Sequence, residues 1–308
     1  MKSQLTKDQV CHCLSGPIPS VKTPFNKDGS IDYEGLGNQI EFQLGAKCRT
    51  ILLTDGDSHL ECMSRQEIAE VTRKVCQQVG DRAMIVAADS FYGTSDSIAF
   101  ANYARDCGAD VLMVLPPNWA DSCTPQTMAE HYAAVAEHIP VMIVTNIFIK
   151  QGANFGLETI RLALDLSENI VAVKDDMCGD FARRLCLLAH QHCAVFAGGQ
   201  KVNHMNMWPY GCDGYLSTFM SFRPDIAWKY WHAIEANDIE TARGVISDID
   251  IPFFDFLIKT GNWNAAMHGV LELFGICKRW RRKPYYSLND KEMDGLAKFL
   301  HDENLLEK

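Results

Sequence analysis

The sequence predicts an α/β chain folded as a (β/α)8, or TIM, barrel with a C-terminal helical extension. Three observations lead there. Short apolar, β-branched runs alternate with longer amphipathic segments, and eight such runs pass before the alternation stops near residue 237. Many of these runs are apolar on both parities, as parallel strands covered on both faces are. No glycine-rich dinucleotide turn follows the first run, which weighs against an open doubly wound sheet.

Ile18–Phe25 is the first run, followed by the turn Asn26-Lys27-Asp28-Gly29 and a helix over Asp32–Ala46. Thr50–Leu53 is the second strand, and Ser64 with Glu67 three residues on is a capping-box start for the next helix. Met84–Ala88 pairs with a helix over Ser95–Cys107, and Val111–Leu115, closed by Pro116-Pro117, with one over Pro125–His138. Val141–Thr145 precedes a helix over Leu157–Leu166. Ile170–Val173 ends at Lys174 and precedes Phe181–His190. Ala194–Ala197 runs into Gly198-Gly199, and Gly214–Thr218 leads to a helix over Pro224–Ala236. Helices are then expected at Ile239–Ile258, Asn262–Phe274 and Asn289–Leu306. The division is residues 1–237 for an N-terminal extension and barrel, and 238–308 for helices packed on it.

The 308 residues are 47% hydrophobic and 22% charged, enough for a sizeable core without staples. A net charge of −10 argues against nucleic-acid or anionic-membrane partners but leaves room for a local cationic site. The 12 cysteines form no C-x-x-C pair and mostly sit in apolar runs, as free thiols of a reducing compartment do. Cys11-His12-Cys13 is the only tight cluster and lacks the second half of a ligand set, so no metal is expected. The polar N-terminus has no apolar signal core, and no apolar run approaches a membrane span. A cytoplasmic protein is expected.

A barrel carries its chemistry at the C-terminal ends of its strands. Strand alternation puts Ile170, Ala172 and Lys174 on one face, so Lys174 can point into the barrel mouth. Desolvation there disfavours an ammonium and frees an amine to attack a carbonyl, giving an imine that acts as an electron sink. The same lysine could instead pair with Asp175 or Asp176. After the second strand come Gly56, Asp57, Ser58 and His59: small residues whose backbone could hold a carboxylate, beside acid–base side chains or a merely structural turn.

These features converge on a family. The chain resembles the dihydrodipicolinate synthase / N-acetylneuraminate lyase family of class I Schiff-base aldolases, from about Ile18 to Pro284. The resemblance rests on Thr23-Pro24-Phe25 with Asp28-Gly29, Met63-Ser64-Arg65-Gln66-Glu67, and Gly108-Ala109-Asp110 before Pro116-Pro117. It continues in Asn169 through Asp175, the Schiff-base strand, and in Gly211-Cys212-Asp213-Gly214-Tyr215-Leu216-Ser217.

The resemblance implies Lys174 as nucleophile, and Gly56, Asp57, Ser58, His59, Asn146 and Gly198 around a 2-oxo acid, with no cofactor and a homo-oligomer, dimer or tetramer. It also exposes departures. Asp57 stands where the family has a carboxylate-binding threonine. Thr145, before Asn146, replaces the proton-relaying tyrosine, and a threonine hydroxyl is a far poorer acid than a phenol. Asn118-Trp119 replaces the tyrosine-bearing turn after strand four, and Lys150 takes the place of a carboxylate-binding arginine without its fork.

The expectation is therefore a lyase of aldolase or dehydratase type acting on pyruvate or another 2-oxo acid. Lys174 is the nucleophile; Thr145, Asp57 or His59 moves protons. The alternatives are a degenerate member that binds without turnover, and a barrel hydrolase using His59 and Asp57 without an imine.

Overall fold

The computed structural model describes residues 5–306. Eight parallel strands form one sheet in the order β1-β8-β7-β6-β5-β4-β3-β2. They are β1 (Gly16–Ile18), β2 (Thr50–Leu52), β3 (Met84–Ala88), β4 (Val111–Val114), β5 (Val141–Val144), β6 (Ile170–Asp175), β7 (Ala194–Ala197) and β8 (Gly214–Leu216). A parallel bridge between Ser20 and Leu52 closes the ring from β1 to β2. The result is the expected (β/α)8 barrel with helices outside. Every residue from β1 through β7 is buried, which is why those runs lack an alternating polar face.

The differences from the sequence reading have local causes. The expected run carries Pro19 and Pro24, which have no N–H for a ladder, so the regular strand is the short Gly16–Ile18. Beyond it, Ser20 through Phe25 is tied down by single contacts, such as the Val21 amide on the Leu52 carbonyl at 2.9 Å. The strand before Lys174 runs longer than expected, to Asp175, because Lys174 and Asp175 pair with Phe196 and Ala197 of β7. Ser64 and Glu67 form the capping box, with the Glu67 amide on the Ser64 hydroxyl at 3.2 Å.

A helix over Lys7–Leu14 was not anticipated. Thr6 and Gln9 cap it reciprocally, and its buried Val10 and Leu14 pack toward β6 and β7. Cys11-His12-Cys13 lies on this helix, far in sequence from the strand ends that face the cavity described below. Gly214 of β8 sits against the backbone that leads from this helix into β1: a side chain there would meet the Gly16 carbonyl oxygen at 2.7 Å.

Past the helix Pro224–Glu235 the regular elements of the described residues are helices. The segment expected as one helix over Ile239–Ile258 is broken at a π turn, Ile246–Asp250, between Ile239–Val245 and Ile251–Lys259. Pro252 lacks the N–H that would continue the ladder there. Asp250 in that turn is buried and accepts from the Lys201 ammonium at 2.6 Å. One hydrophobic core joins barrel and extension, running from the strands through Val245, Phe253, Leu257, Met267 and Leu300. Among the described residues no helix is long and apolar enough to cross a membrane.

Candidate active site

A cavity of about 260 Å³ opens at the C-terminal ends of the strands. Strand-end residues line it: Asp55, Gly56 and Asp57 after β2, Asn146 after β5, Lys174 and Asp176 at β6, and Gly198 after β7. The extension closes one side with Trp263, at the start of the helix Trp263–Leu273. A larger cleft, about 1060 Å³, lies elsewhere, between Lys27–Gly29 and residues 280–287, and no strand-end residue lines it.

Lys174 is 5% exposed, and its amine reaches the cavity. Both oxygens of Asp176 meet its Nζ, Oδ1 at 2.6 Å and Oδ2 at 2.5 Å. The two residues share a parity, so both turn to the same side of the chain. Gly198 makes room for the carboxylate: a Cβ there would run into Asp176 and lie 2.6 Å from the Asp175 carbonyl oxygen. Any side chain at 198 would therefore displace the lysine's partner.

Asp175 points the other way and serves as a bracket. Its carboxylate accepts from the Met177 and Cys178 amides, from Asn203 and from the Thr145 hydroxyl, all at 3.1 Å. Burial raises its carboxyl above the usual range, and these bonds work in the opposite sense.

Thr145 is fully buried, and its oxygen also accepts from the Asp176 amide at 2.8 Å. It does not line the cavity. Its short side chain holds the backbone that presents Asp176.

The loop after β2 also differs from expectation. The Ser58, His59 and Leu60 amides bond back to the Thr54, Gly56 and Asp55 carbonyls, a tight turn that leaves the Gly56 and Asp57 amides outside that set. Ser58 is buried, with its hydroxyl donating to the Val21 carbonyl at 2.6 Å and accepting from the Thr54 amide at 3.0 Å. It closes the turn and does not face the cavity. His59, with φ of 57°, faces inward, its Nε2 2.7 Å from Nε2 of His268. Burial, aided by the Arg281 charge, pulls its imidazole down to about 3, so it is neutral at physiological pH. His59 is not among the residues that line the cavity. Lys150 is exposed and is not among the residues that line the cavity.

Asp57 does line the cavity, but not alone. Its Oδ2 accepts from the Ser20 hydroxyl at 2.5 Å and lies 3.5 Å from the Lys22 ammonium, whose side chain is 3% exposed. Burial disfavours the Asp57 anion, yet Lys22, Ser20 and Lys174 together hold its carboxyl below the usual range. Asp55 behaves oppositely. Burial and the nearby Glu61 push its carboxyl up to about 7.

Several of these groups escaped the sequence reading. Asp55 and Asp176 were visible at strand ends, the signal that marks Lys174. Ser20 and Lys22 lie in a segment read as plain strand, and Trp263 in a helix read as packing, so neither carried a signal. At the rim, Gln200 Nε2 donates to the Thr218 hydroxyl at 3.2 Å, so two further polar groups face the opening.

A barrel with a buried lysine at the end of its sixth strand, in a small polar cavity, defines the class: a (β/α)8 protein with an amine and carboxylates at its strand ends. Residues 13–303 match the Dihydrodipicolinate synthetase family, and the chain belongs to it. Members of this family are Schiff-base lyases that use pyruvate. A 4-hydroxy-tetrahydrodipicolinate synthase of Chlorobaculum parvum is 27% identical over 239 residues, 75% of this chain and 78% of its own. One from Aquifex aeolicus is 23% identical over 298 residues, 95% of this chain and 98% of its own. The solved N-acetylneuraminate lyase of Fusobacterium nucleatum superposes with a TM-score of 0.83 at 18% identity, covering 96% of this chain and 100% of the other. Likeness at that identity speaks for the fold.

Proposed function

We propose that the protein is a Schiff-base lyase of aldolase or dehydratase type, in which Lys174 condenses with the C2 carbonyl of pyruvate or a longer 2-oxo acid. One observation carries this reading: the cavity at the strand ends contains a single lysine, buried to 5% exposure, with a carboxylate against its amine. The Gly56 and Asp57 amides are the groups best placed to receive the substrate carboxylate, since the turn does not use them. Asn146, Gln200 and Thr218 offer hydrogen bonds to hydroxyls further along the substrate. Among the described residues that line the cavity, no arginine and no lysine other than Lys174 stands, which favours a tail that is hydroxylated over one that bears a second carboxylate. The iminium is its own electron sink, so the reading requires no cofactor. The working unit in this proposal is a homo-oligomer, dimer or tetramer, as in the family.

The test is borohydride reduction in the presence of pyruvate and a panel of longer 2-oxo acids, read by intact-protein and peptide mass spectrometry. A reduced adduct on Lys174, absent in Lys174→Met, is the expected result. No adduct with any 2-oxo acid would sink the reading. A second reading, binding without turnover, draws on Thr145: the residue in place of the family's tyrosine has its hydroxyl committed to Asp175 and the Asp176 amide. An adduct with no cleavage, condensation or dehydration of any panel member would select it.

A further inference from the structure

We infer that Asp176 is the proton-transfer residue of the Lys174 site, taking the work that a tyrosine would otherwise do. The inference rests on the Schiff-base reading above and adds to it the group that moves the protons.

Position is the first argument. Both carboxylate oxygens touch the reacting nitrogen, at 2.6 and 2.5 Å, and the carboxylate lines the same cavity. The surroundings are built to keep it there. Its amide is held by the Thr145 hydroxyl, Thr145 is held by Asp175, and Asp175 is fixed by Asn203 and the Met177 and Cys178 amides. Gly198 supplies the vacant volume its carboxylate occupies. The second argument is elimination. The Thr145 hydroxyl and His59 lie outside the cavity, and Asp57 is tied to Ser20 and Lys22. Asp55 lines the cavity, but the partner of its carboxylate there is Ser90, at 3.4 Å, and not the lysine.

The chemistry balances with these two side chains alone. The Lys174 ammonium passes a proton to the Asp176 carboxylate. The freed nitrogen lone pair forms the C–N bond at C2, and the carbonyl π pair moves to oxygen, which takes a proton from nitrogen. Asp176 then returns its proton to that hydroxyl, which leaves as water while the nitrogen pair closes C=N. The sum is ammonium plus ketone giving iminium plus water, with Asp176 again an anion beside the new cation. As a base it then removes a proton from C3. The C–H pair becomes the C2=C3 bond of an enamine, and the C=N pair returns to nitrogen.

Pyruvate in deuterated water separates the two stages. Borohydride trapping reports the imine, and loss of the methyl signal in proton NMR reports removal of C3 protons. Wild-type protein is expected to do both. Asp176→Asn, isosteric but not a base, is expected to remain trappable on long incubation while C3 exchange per trapped imine falls about 10²-fold or more. Should Asp176→Asn lose the imine as well, Asp176→Ala with added acetate decides: restored exchange supports the role, and no restoration overturns it. Unchanged exchange in Asp176→Asn overturns it too. Wild-type protein that traps no 2-oxo acid of the panel overturns the Schiff-base reading itself, a distinct outcome.

Discussion

The Asp57 carboxylate lies 3.5 Å from the Lys22 ammonium, across the seam where the barrel closes. These residues come from different strand–loop units, and the Ser20 hydroxyl bonds to both. The pair keeps a carboxylate charged at the edge of the cavity. It does so by giving Asp57 its own cation, so that the field at the cavity is close to that of a neutral group.

Lys22→Met should therefore destabilise the protein by about 1–3 kcal/mol at neutral pH, since it leaves the Asp57 charge uncompensated. The sign follows from the lowered Asp57 carboxyl. Its contribution is present above the unfolded value of 3.8 and disappears as pH falls through the lower folded value. Urea unfolding of both proteins checks this: the gap should be full at pH 7 and close at strongly acidic pH.

Asp55, with its carboxyl pushed up to about 7, is neutral below that pH and charged above it. An anionic substrate should then bind less well as pH rises through this value. The apparent KM for pyruvate, or the half-saturation of borohydride trapping, is expected to climb through that range in wild-type protein. In Asp55→Asn the climb should be absent. A wild-type profile flat across that range would contradict the assignment.

Thr145→Val keeps the shape and deletes the hydroxyl that links Asp175 to the Asp176 amide. Leaving buried partners unmet should cost about 1–3 kcal/mol. Since the hydroxyl does not face the cavity, the variant should still trap pyruvate on Lys174. Thr145→Ser should recover most of the lost stability in thermal unfolding. A variant as stable as wild type but unable to trap would return Thr145 to the chemistry.

His59 and His268 share a hydrogen bond of 2.7 Å in the interior, and burial drives both imidazoles toward the neutral form. Their folded values lie below the unfolded 6.5, so between about 3 and 6.5 the unfolded chain binds more protons. The pair thus makes stability fall as pH drops below 6.5, by up to about 1.4 kcal/mol per pH unit for each ring. Asp55 and Asp89, both pushed up to about 7 by burial, work the opposite way over much of that range. The readout is therefore a difference: the pH slope of unfolding free energy in wild type minus that in a His59→Phe/His268→Leu double variant.

Much of the plan was legible in the sequence, for physical reasons that act locally. Buried parallel strands must be apolar on both faces, so their order along the chain can be read directly. Capping residues such as Ser64 and Glu67 announce a helix start because they satisfy its own amides. Period-two alternation sets Lys174 and Asp176 on one side, so a lysine–carboxylate pair at a strand end was among the readings the sequence itself allowed. Only the closed barrel decided the rest. Lys22 meets Asp57, and His59 meets His268, across sequence separations that no local rule spans. Trp263 reaches the cavity because the extension folds over the barrel mouth. Gly198 matters because its neighbour across the strands is Asp176. Residue types and spacing determine which groups stand at the strand ends. Which of them face the cavity and which are spent on buried hydrogen bonds depends on packing between distant segments, and that exists only once the ring is closed.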